Sequence, residues 1–289
     1  MLFRRFIFRT RHLALFMLCV GLLATPSLAQ SPQEKSPNPV VEAFRAAQWT
    51  HGPARATLES VAEVQLPAEY MAAQGNDTRR IMEAMQNPPS GMEVGLIFTR
   101  NADWFVVFEF DDMGHVKDDE KGALDADAIL ESIKQGTEVG NKERAKRGWP
   151  SLTITGWEQK PHYDEQTRNL TWAILAQSEG KPLINYNTRI LGRRGVMRVT
   201  LVADPGELAT AVPQFRALLQ GYAFTKGNRY AEWVQGDKIA KVGLTALVTG
   251  GAAAVAVKSG AAKWLWKVLV AAGIGALAFL RKLFKRKSA

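Results

Sequence analysis

The sequence has one cysteine and four histidines among its 289 residues. Cys19 lies inside an N-terminal apolar run, so the rest of the chain has no thiol for a disulfide, a thiolate zinc site or a cysteine nucleophile. The Gly-x-Ser-x-Gly elbow, the His-Glu-x-x-His motif and the Walker loop are also missing. These absences exclude the enzyme classes that those motifs define, and no cofactor is expected.

Acidic residues are missing from both ends of the chain. Residues 1–29 contain four arginines and no acid, and residues 242–289 contain eight basic residues and no acid. The formal net charge of +9 therefore belongs to the ends, and residues 30–241 carry 25 basic and 28 acidic side chains. Nucleic-acid binding requires a basic face on the folded part of a protein. We therefore expect no nucleic-acid partner.

Residues 1–29 have the pattern of a secretion signal. Arginines precede an apolar run, and Ser27-Leu28-Ala29 forms a cleavage motif before Gln30. The alternative is an uncleaved anchor, although the apolar run is short for a membrane span. Residues 30–39 are rich in Pro, Ser and charge, which predicts an extended linker.

Two apolar runs within residues 242–280 predict a membrane segment of one or two helices. The second run, Trp264 to Leu280, approaches the length of a bilayer span and carries two tryptophans at its start. Residues 281–289 form a basic tail, which the positive-inside rule places in the cytoplasm. We therefore expect an inner-membrane protein with its main domain, residues 40–241, in the periplasm. A second full span would place the tail outside, so the number of spans stays open.

The pattern of residues 40–241 predicts an α+β domain, mainly an antiparallel sheet with packed helices. Helices are expected at residues 40–49 and 76–86, from Asp125, and after Pro205. Strands are expected at residues 57–66, 92–99, 104–110, 115–117, 151–157, 170–177, 184–191 and 196–202, and within 222–240. The meander followed by a helix is similar to the PsbP-like fold.

Several local patterns carry a more specific resemblance. They are Trp104 to Phe110 with Gly114 and Lys117-Asp118-Asp119, Asn141 with Glu143-Arg144 and Gly148, Gly156-Trp157 with Pro161, Tyr163 and Asp164, Leu170 with Trp172-Ala173, Asn185 to Arg193, and Gly236-Asp237-Lys238. In these positions the chain resembles the bacterial domain-of-unknown-function 2167 family of membrane-anchored proteins. The resemblance implies an exported domain with a membrane tail and implies no activity.

The acidic run around His115 is the best metal candidate in the sequence. Its carboxylates, Asp111, Asp112, Asp118 and Asp119, suit a hard cation, and Glu120 follows them. The run lacks the alternating ligands and the glycine of a calcium loop. A solvated turn at the end of a strand is the favoured interpretation.

His162 and Asp164 could act as a general base beside a carboxylate, with Ser151 or Ser178 as a nucleophile. The alternative is a turn between two strands, because Pro161 and Asp164 are both turn residues.

A polar strand face is predicted at Asn185, Asn187 and Arg189, which alternate with Tyr186, Thr188 and Ile190. One interpretation is a buried network in which Glu158 or Asp164 pairs with Arg189. The other is an anionic-ligand or peptide site that uses Arg189, Arg193 and Arg194. The first is favoured, because buried polar groups usually pair internally.

Three hypotheses follow for function. The first is a non-enzymatic module that binds an envelope protein or a small ligand, and the second is an envelope hydrolase that uses His162 and Asp164 or the acidic run. The hydrolase requires His162, Asp164 and Arg189 to converge in an open cleft. The third is a binder of small apolar ligands, which requires an internal cavity. The tryptophans at 104, 149, 157, 172 and 233 are interpreted as core or sheet residues, since an exposed set would instead mark a partner surface.

Overall fold

The computed structural model describes residues 38–119, 124–165 and 167–249. Its first half begins with helix α1 (Pro39–Ala46) and strands β1 (Thr50–His51), β2 (Ala54–Leu58), β3 (Ala62–Leu66) and β4 (Tyr70–Gln74), followed by helix α2 (Gly75–Ala84) and strands β5 (Glu93–Thr99) and β6 (Trp104–Asp111).

The second half begins with the longest described helix, α3 (Ala126–Lys146). A meander of four strands follows, namely β7 (Thr153–Asp164), β8 (Asn169–Ser178), β9 (Lys181–Leu191) and β10 (Val196–Ala203). The chain then forms a 3₁₀ turn (Pro205–Glu207), helix α4 (Leu208–Gln220), strand β11 (Tyr222–Phe224), a second 3₁₀ turn (Tyr230–Glu232) and helix α5 (Leu244–Thr249).

Eight strands form one antiparallel sheet in the order β1-β4-β5-β6-β10-β9-β8-β7, and β11-β3-β2 form a second, smaller sheet. The strand β10 lies between β6 and β9, so it joins the hairpin β5–β6 to the meander. The expected α+β class, with a large antiparallel sheet and packed helices, is confirmed.

Apolar side chains alternate along the strands and form cores on both faces of the large sheet. On the α4 face, residues such as Val106, Val199 and Tyr186 pack against α4 and the small sheet. The α3 face carries two separate clusters. One packs under α1 and α2, and the other packs under α3 and α5.

The start of α3 agrees with its predicted cap, Asp125, whereas α2 starts after Gln74 with no side-chain cap. The Asp125 Oδ1 accepts hydrogen bonds from the backbone N–H groups of Asp127 and Ala128 at 3.1 and 3.0 Å. The Asn38 Oδ1 caps α1 through the N–H of Val40 at 2.9 Å. The end of the predicted linker therefore begins the first helix.

Three local predictions were wrong. The single strand expected at residues 57–66 is the hairpin β2–β3, because the chain reverses at Glu59, whose φ is +52°. The strand expected at residues 115–117 is reduced to a single bridge between His115 and Ile239. The turn expected at residues 161–164 is strand, because irregularities in the β7–β8 register accommodate Pro161 within β7.

The described helices include none that is long and apolar enough to span a bilayer. The predicted signal, most of the linker and residues 250–289 lie outside the described residues. Within the first apolar run, α5 packs into the core cluster under α3, with Leu244 and Val248 fully buried. The packed core therefore continues past residue 241.

Candidate functional site

A groove of about 570 Å³ lies on the α4 face of the large sheet. Its floor comes from β7, β8 and β9, and its wall comes from the second half of α4 and from Tyr222. The volume suits a small ligand, because ligand pockets commonly range from about 300 to 1,000 Å³.

Strand register determines which side chains reach the groove. His162 is paired with Thr171, and Thr171 is paired with Thr188 on the next strand. One step nearer the end of the sheet, Asp164 is paired with Asn169, which is paired with Ile190. Two rows of mostly polar side chains therefore face α4 at one end of the meander.

The helix α4 contributes the aromatic ring of Phe215 and the guanidinium of Arg216 to the groove. The Phe215 ring meets the Tyr186 ring edge-on, with centroids 5.8 Å apart. The Arg216 Nη2 donates a hydrogen bond to the Tyr186 hydroxyl at 3.0 Å. Arg216 is exposed, so its remaining donors face the groove mouth and solvent.

Two buried polar atoms of the groove lining have no hydrogen-bond partner among the described residues. They are the Asn169 Oδ1 and the Tyr222 hydroxyl. Burial raises the pKa of Tyr222 well above its usual value, so this phenol is neutral and can donate. Most buried polar atoms in proteins have a hydrogen-bond partner. A buried group without one has lost its hydrogen bonds to water and gained none in exchange. Both atoms are shielded from solvent, so they become one acceptor and one donor for a polar ligand when the side chains that cover them move aside.

Only some of the candidate catalytic residues of the hydrolase hypothesis lie together. His162 and Asp164 both line the groove, and the Asp164 Oδ1 accepts from the Thr167 N–H at 3.1 Å. Ser178 and Ser151 lie at the other end of β7 and β8, where the Ser178 hydroxyl donates to the Ser151 carbonyl at 3.1 Å. Arg189 is on the opposite face of the sheet. The three side chains that the hydrolase hypothesis requires do not converge.

Arg189 belongs to a buried row of charges on the α3 face. Adjacent strands pair Glu93 with Glu109, Glu109 with Arg198, and Arg198 with Arg189. All four side chains are buried, and the guanidinium of Arg189 lies 4.6 Å from the Trp172 ring centroid. The Ser90 hydroxyl donates to the Glu109 Oε1 at 2.5 Å.

Arg189 is buried among polar groups other than the predicted ones, and its Nε has no hydrogen-bond partner among the described residues. The Nη1 of Arg189 donates to the Thr188 carbonyl at 3.2 Å, and burial holds its pKa well below the usual range. Arg198 lowers that pKa further, whereas Glu109 and Asp111 raise it. The predicted partner Asp164 was wrong because its side chain points to the α4 face.

Of the two neighbouring asparagines on β9, the Asn187 side chain has partners, whereas both polar atoms of the Asn185 side chain have none among the described residues. The Thr200 hydroxyl donates to the Asn187 Oδ1 at 3.2 Å, and the Asn187 Nδ2 donates to the Asn185 carbonyl at 3.0 Å. A cavity of about 10 Å³ adjoins Arg189 and α5, which is room for about one water. No ligand larger than water fits there.

Arg193 and Arg194 lie in the β9–β10 turn and have protein partners. Arg193 binds the carboxylate of Asp237, and the Arg194 Nε donates to the Asn228 Oδ1 at 3.0 Å. The anionic-ligand set of Arg189, Arg193 and Arg194 is therefore divided between a buried face and a turn.

The acidic run is also divided. Asp111 lies beside the buried arginines, and Asp112 is 3.9 Å from Arg194. The Asp118 Oδ2 accepts from the Tyr163 hydroxyl at 3.0 Å, and Asp119 is exposed. No group of three His, Cys, Asp or Glu side chains within the described ranges has the arrangement of a metal site.

Sequence reasoning missed the groove residues Tyr186, Arg216 and Tyr222. A signal was present in β8 and β9, where Asn169, Thr171 and Thr188 place polar groups on the face that also carries Tyr186. Arg216 and Tyr222 come from elements about 30 residues later in the chain, so no local pattern connects them with the strands.

The large sheet, its two layers of helices and the polar groove define an α+β protein with a ligand-sized groove on its α4 face. The chain belongs to the family described as protein of unknown function (DUF2167), which matches residues 50–281. The family resemblance inferred from the sequence is confirmed, and membership brings no activity with it.

Two solved structures show a limited similarity. The solution structure of cyanobacterial PsbP from Synechocystis sp. PCC 6803 has 9% identity and a TM-score of 0.37, covering 62% of this chain and 92% of that one. The crystal structure of a protein of unknown function from Pseudomonas aeruginosa has 16% identity and a TM-score of 0.25, covering 58% and 93%. These scores carry no argument about function, and the PsbP analogy stays a prediction. No curated protein matches the chain.

Proposed function

We propose that this chain is a membrane-anchored envelope module that binds a small polar ligand in the groove beside α4. The observation that carries the proposal is the pair of unpartnered buried atoms in the groove, the Asn169 Oδ1 and the Tyr222 hydroxyl. A ligand with a hydroxyl or amide group that displaces the side chains covering these atoms can donate to the first and accept from the second. The mixed lining of hydroxyls, amides and one guanidinium favours such a ligand over an apolar one.

The envelope location and the anchor are supported by the sequence. The basic and apolar start favours export, and the apolar runs followed by a basic tail favour an inner-membrane anchor with a cytoplasmic C-terminus. Reporter fusions after Val257 and after Ala289 test this topology. A single span predicts a cytoplasmic reporter at Ala289, and a periplasmic reporter there contradicts it.

Ligand binding can be measured on the full chain in lipid nanodiscs. We would titrate N-acetylated sugars and short peptides of envelope composition and follow binding by calorimetry. For a ligand that binds, Asn169→Ala should weaken affinity about tenfold, because the loss of one buried hydrogen bond costs on the order of 1–2 kcal/mol. Lys181→Ala, at the other end of β9, is the matched control and should bind as the unsubstituted protein does. Equal affinity for the Asn169 and Lys181 variants would contradict the assigned site.

A hydrolase is the second candidate, because His162 and Asp164 line the same groove. It predicts slow turnover of glycoside or ester substrates that His162→Gln abolishes, with the affinity for unreactive ligands retained. Turnover that survives this substitution would exclude His162 as the base.

A further inference from the structure

Exposed large hydrophobic side chains are confined to one short segment of the described residues. They are Trp233, Val234 and Ile239, which are 38, 52 and 39% exposed. Single exposed apolar residues are ordinary on a protein surface, but several grouped together mark a contact surface.

These residues lie in a segment that crosses the end of the large sheet, which we name the capping segment, residues 225–241. It starts after β11 on the α4 face, forms bridges from Arg229 to Gly192 and from Ile239 to His115, and reaches α5 on the α3 face. It therefore covers the strand ends at the carboxyl end of β9.

The capping segment is fastened firmly to the sheet. The His115 N–H donates to the Lys238 carbonyl at 2.8 Å, and the Ala240 N–H donates to the His115 carbonyl at 2.9 Å. The His115 ring also lies 5.4 Å from the Trp233 ring. Since the patch is held in place before any contact, little side-chain and loop entropy is lost when a partner binds.

The surroundings of the patch are basic. The capping segment contains Lys226, Arg229, Lys238 and Lys241 against Glu232 and Asp237, and all four basic side chains are exposed. Residues 30–241 together have more acidic than basic residues, so the capping segment differs in sign from them, although Asp112 and Asp118 of the acidic run lie beside it. An exposed apolar patch in a segment rich in Lys and Arg complements a surface with negative headgroups above an apolar interior.

The position in the chain identifies the occupant. The capping segment is followed by α5, which packs into the core, and the apolar sequence of the proposed anchor continues directly after α5, from residue 250. We propose that Trp233, Val234 and Ile239 insert into the interface of an anionic bilayer, so that this end of the sheet lies against the membrane. This inference rests on the anchoring in the proposed function. A tryptophan at the interface is the arrangement that membrane proteins favour.

The orientation has a consequence for the groove. Its outer row of Asp164, Asn169 and Ile190 is one residue from Leu191, where the capping segment covers β9. The groove would then open close to the membrane surface, within reach of ligands that are held there.

Site-directed spin labelling of the full chain in liposomes tests the inference. Cys19→Ala removes the native thiol, and single nitroxide labels are placed at Val234→Cys, Lys181→Cys and Ala272→Cys. Lys181 is the matched control, because the eleven residues of β9 place it about 33 Å from the capped end. Collision with oxygen and with a water-soluble nickel chelate reports the depth of each label.

In vesicles containing phosphatidylglycerol, the label at 234 should be reached by oxygen and shielded from nickel, the label at 181 should be open to nickel, and the label at 272 should lie deep. Replacing phosphatidylglycerol by phosphatidylcholine should raise the nickel accessibility of the label at 234 at least twofold.

An aqueous label at 272 would overturn the proposed anchor. A deep label at 272 with a nickel-accessible label at 234 would leave the anchor intact and overturn the membrane contact. A label at 234 that is shielded from both reagents would indicate a protein partner, which also overturns it.

Discussion

Arg193 and Asp237 form a two-bond ion pair between the β9–β10 turn and the capping segment. The Arg193 Nε donates to the Asp237 Oδ2 at 2.7 Å, and its Nη2 donates to the Oδ1 at 2.9 Å. The Oδ2 also accepts from the Val234 N–H at 2.9 Å. Bidentate, charge-assisted bonds of this kind fix geometry as well as adding energy. The exposed patch is therefore positioned by this pair.

The pair predicts a pH-dependent contribution to stability. Hydrogen bonding to Arg193 lowers the pKa of Asp237 from 3.8 to about 2. Because the folded pKa lies below the unfolded one, the contribution is complete above about pH 4 and is lost as the pH falls toward 2. Asp237→Asn should lower the melting temperature at pH 7, and its difference from the unsubstituted protein should shrink between pH 4 and pH 2. Glu158→Gln, at an exposed position, is the control, and an Asp237→Asn effect that is constant with pH would contradict the assignment.

Gly114 permits the close approach of the capping segment. Its φ is +105°, and a Cβ built there would lie 2.8 Å from the Lys238 carbonyl oxygen and 2.9 Å from the Ala240 nitrogen. Gly227 also has a positive φ, +88°, but a Cβ there would meet nothing within 4 Å. Gly227→Ala should cost about 1 kcal/mol for its backbone conformation alone. Gly114→Ala should cost about 2 kcal/mol more in urea unfolding, because both neighbours are backbone atoms. Equal losses would show that the contact is unimportant.

The sequence was sufficient to predict a helix or strand where one local pattern defines that element. The β5–β6 hairpin was predicted from two β-rich runs around residues 100–103, and the start of α3 from Asp125 as its cap. The strands of the meander were predicted at positions that overlap β7, β8, β9 and β10. In each case the deciding residues lie within about ten positions of one another, so no long-range contact was needed.

The groove and the buried charges could not be derived in this way. The strand β10 pairs with β6, about 90 residues earlier in the chain, and this pairing places Arg198 between Glu109 and Arg189. Asp164 was considered as a partner of Arg189 because it is near the neighbouring strands in sequence, and the irregular register of β7 instead places it on the other face. Strand order and irregular register are properties of the whole sheet, and the sequence pattern records neither.

The buried charge row predicts a large effect at Glu109. Replacing it by Gln leaves Arg189 and Arg198 buried beside each other without the carboxylate that Glu109 provides on the neighbouring strand β6. Breaking a buried charge network in this way costs about 3–5 kcal/mol. We expect Glu109→Gln to reduce the free energy of unfolding by about 3 kcal/mol in urea titration. Glu138→Gln on the exposed side of α3 should change it little, and similar values for the two variants would show that Glu109 does not stabilise the row.

Two tyrosines provide a paired test of the groove, because one hydroxyl lacks a partner and the other has one. The Tyr222 hydroxyl is buried without a partner among the described residues, whereas the Tyr230 hydroxyl donates to the Val116 carbonyl at 3.2 Å. Tyr222→Phe should therefore raise the free energy of unfolding of the ligand-free protein by about 1 kcal/mol, and Tyr230→Phe should lower it by about as much.

The same Tyr222→Phe variant should bind a groove ligand more weakly, because that hydroxyl is one of the two groups offered to it. Stability is measured by urea unfolding and affinity by calorimetry, both on the full chain. If Tyr222 is retained for binding at a cost in stability, Tyr222→Phe should raise the free energy of unfolding and lower the affinity for the ligand. If Tyr222→Phe destabilises the ligand-free protein as Tyr230→Phe does, the hydroxyl has a structural partner and the groove loses one of its two binding groups.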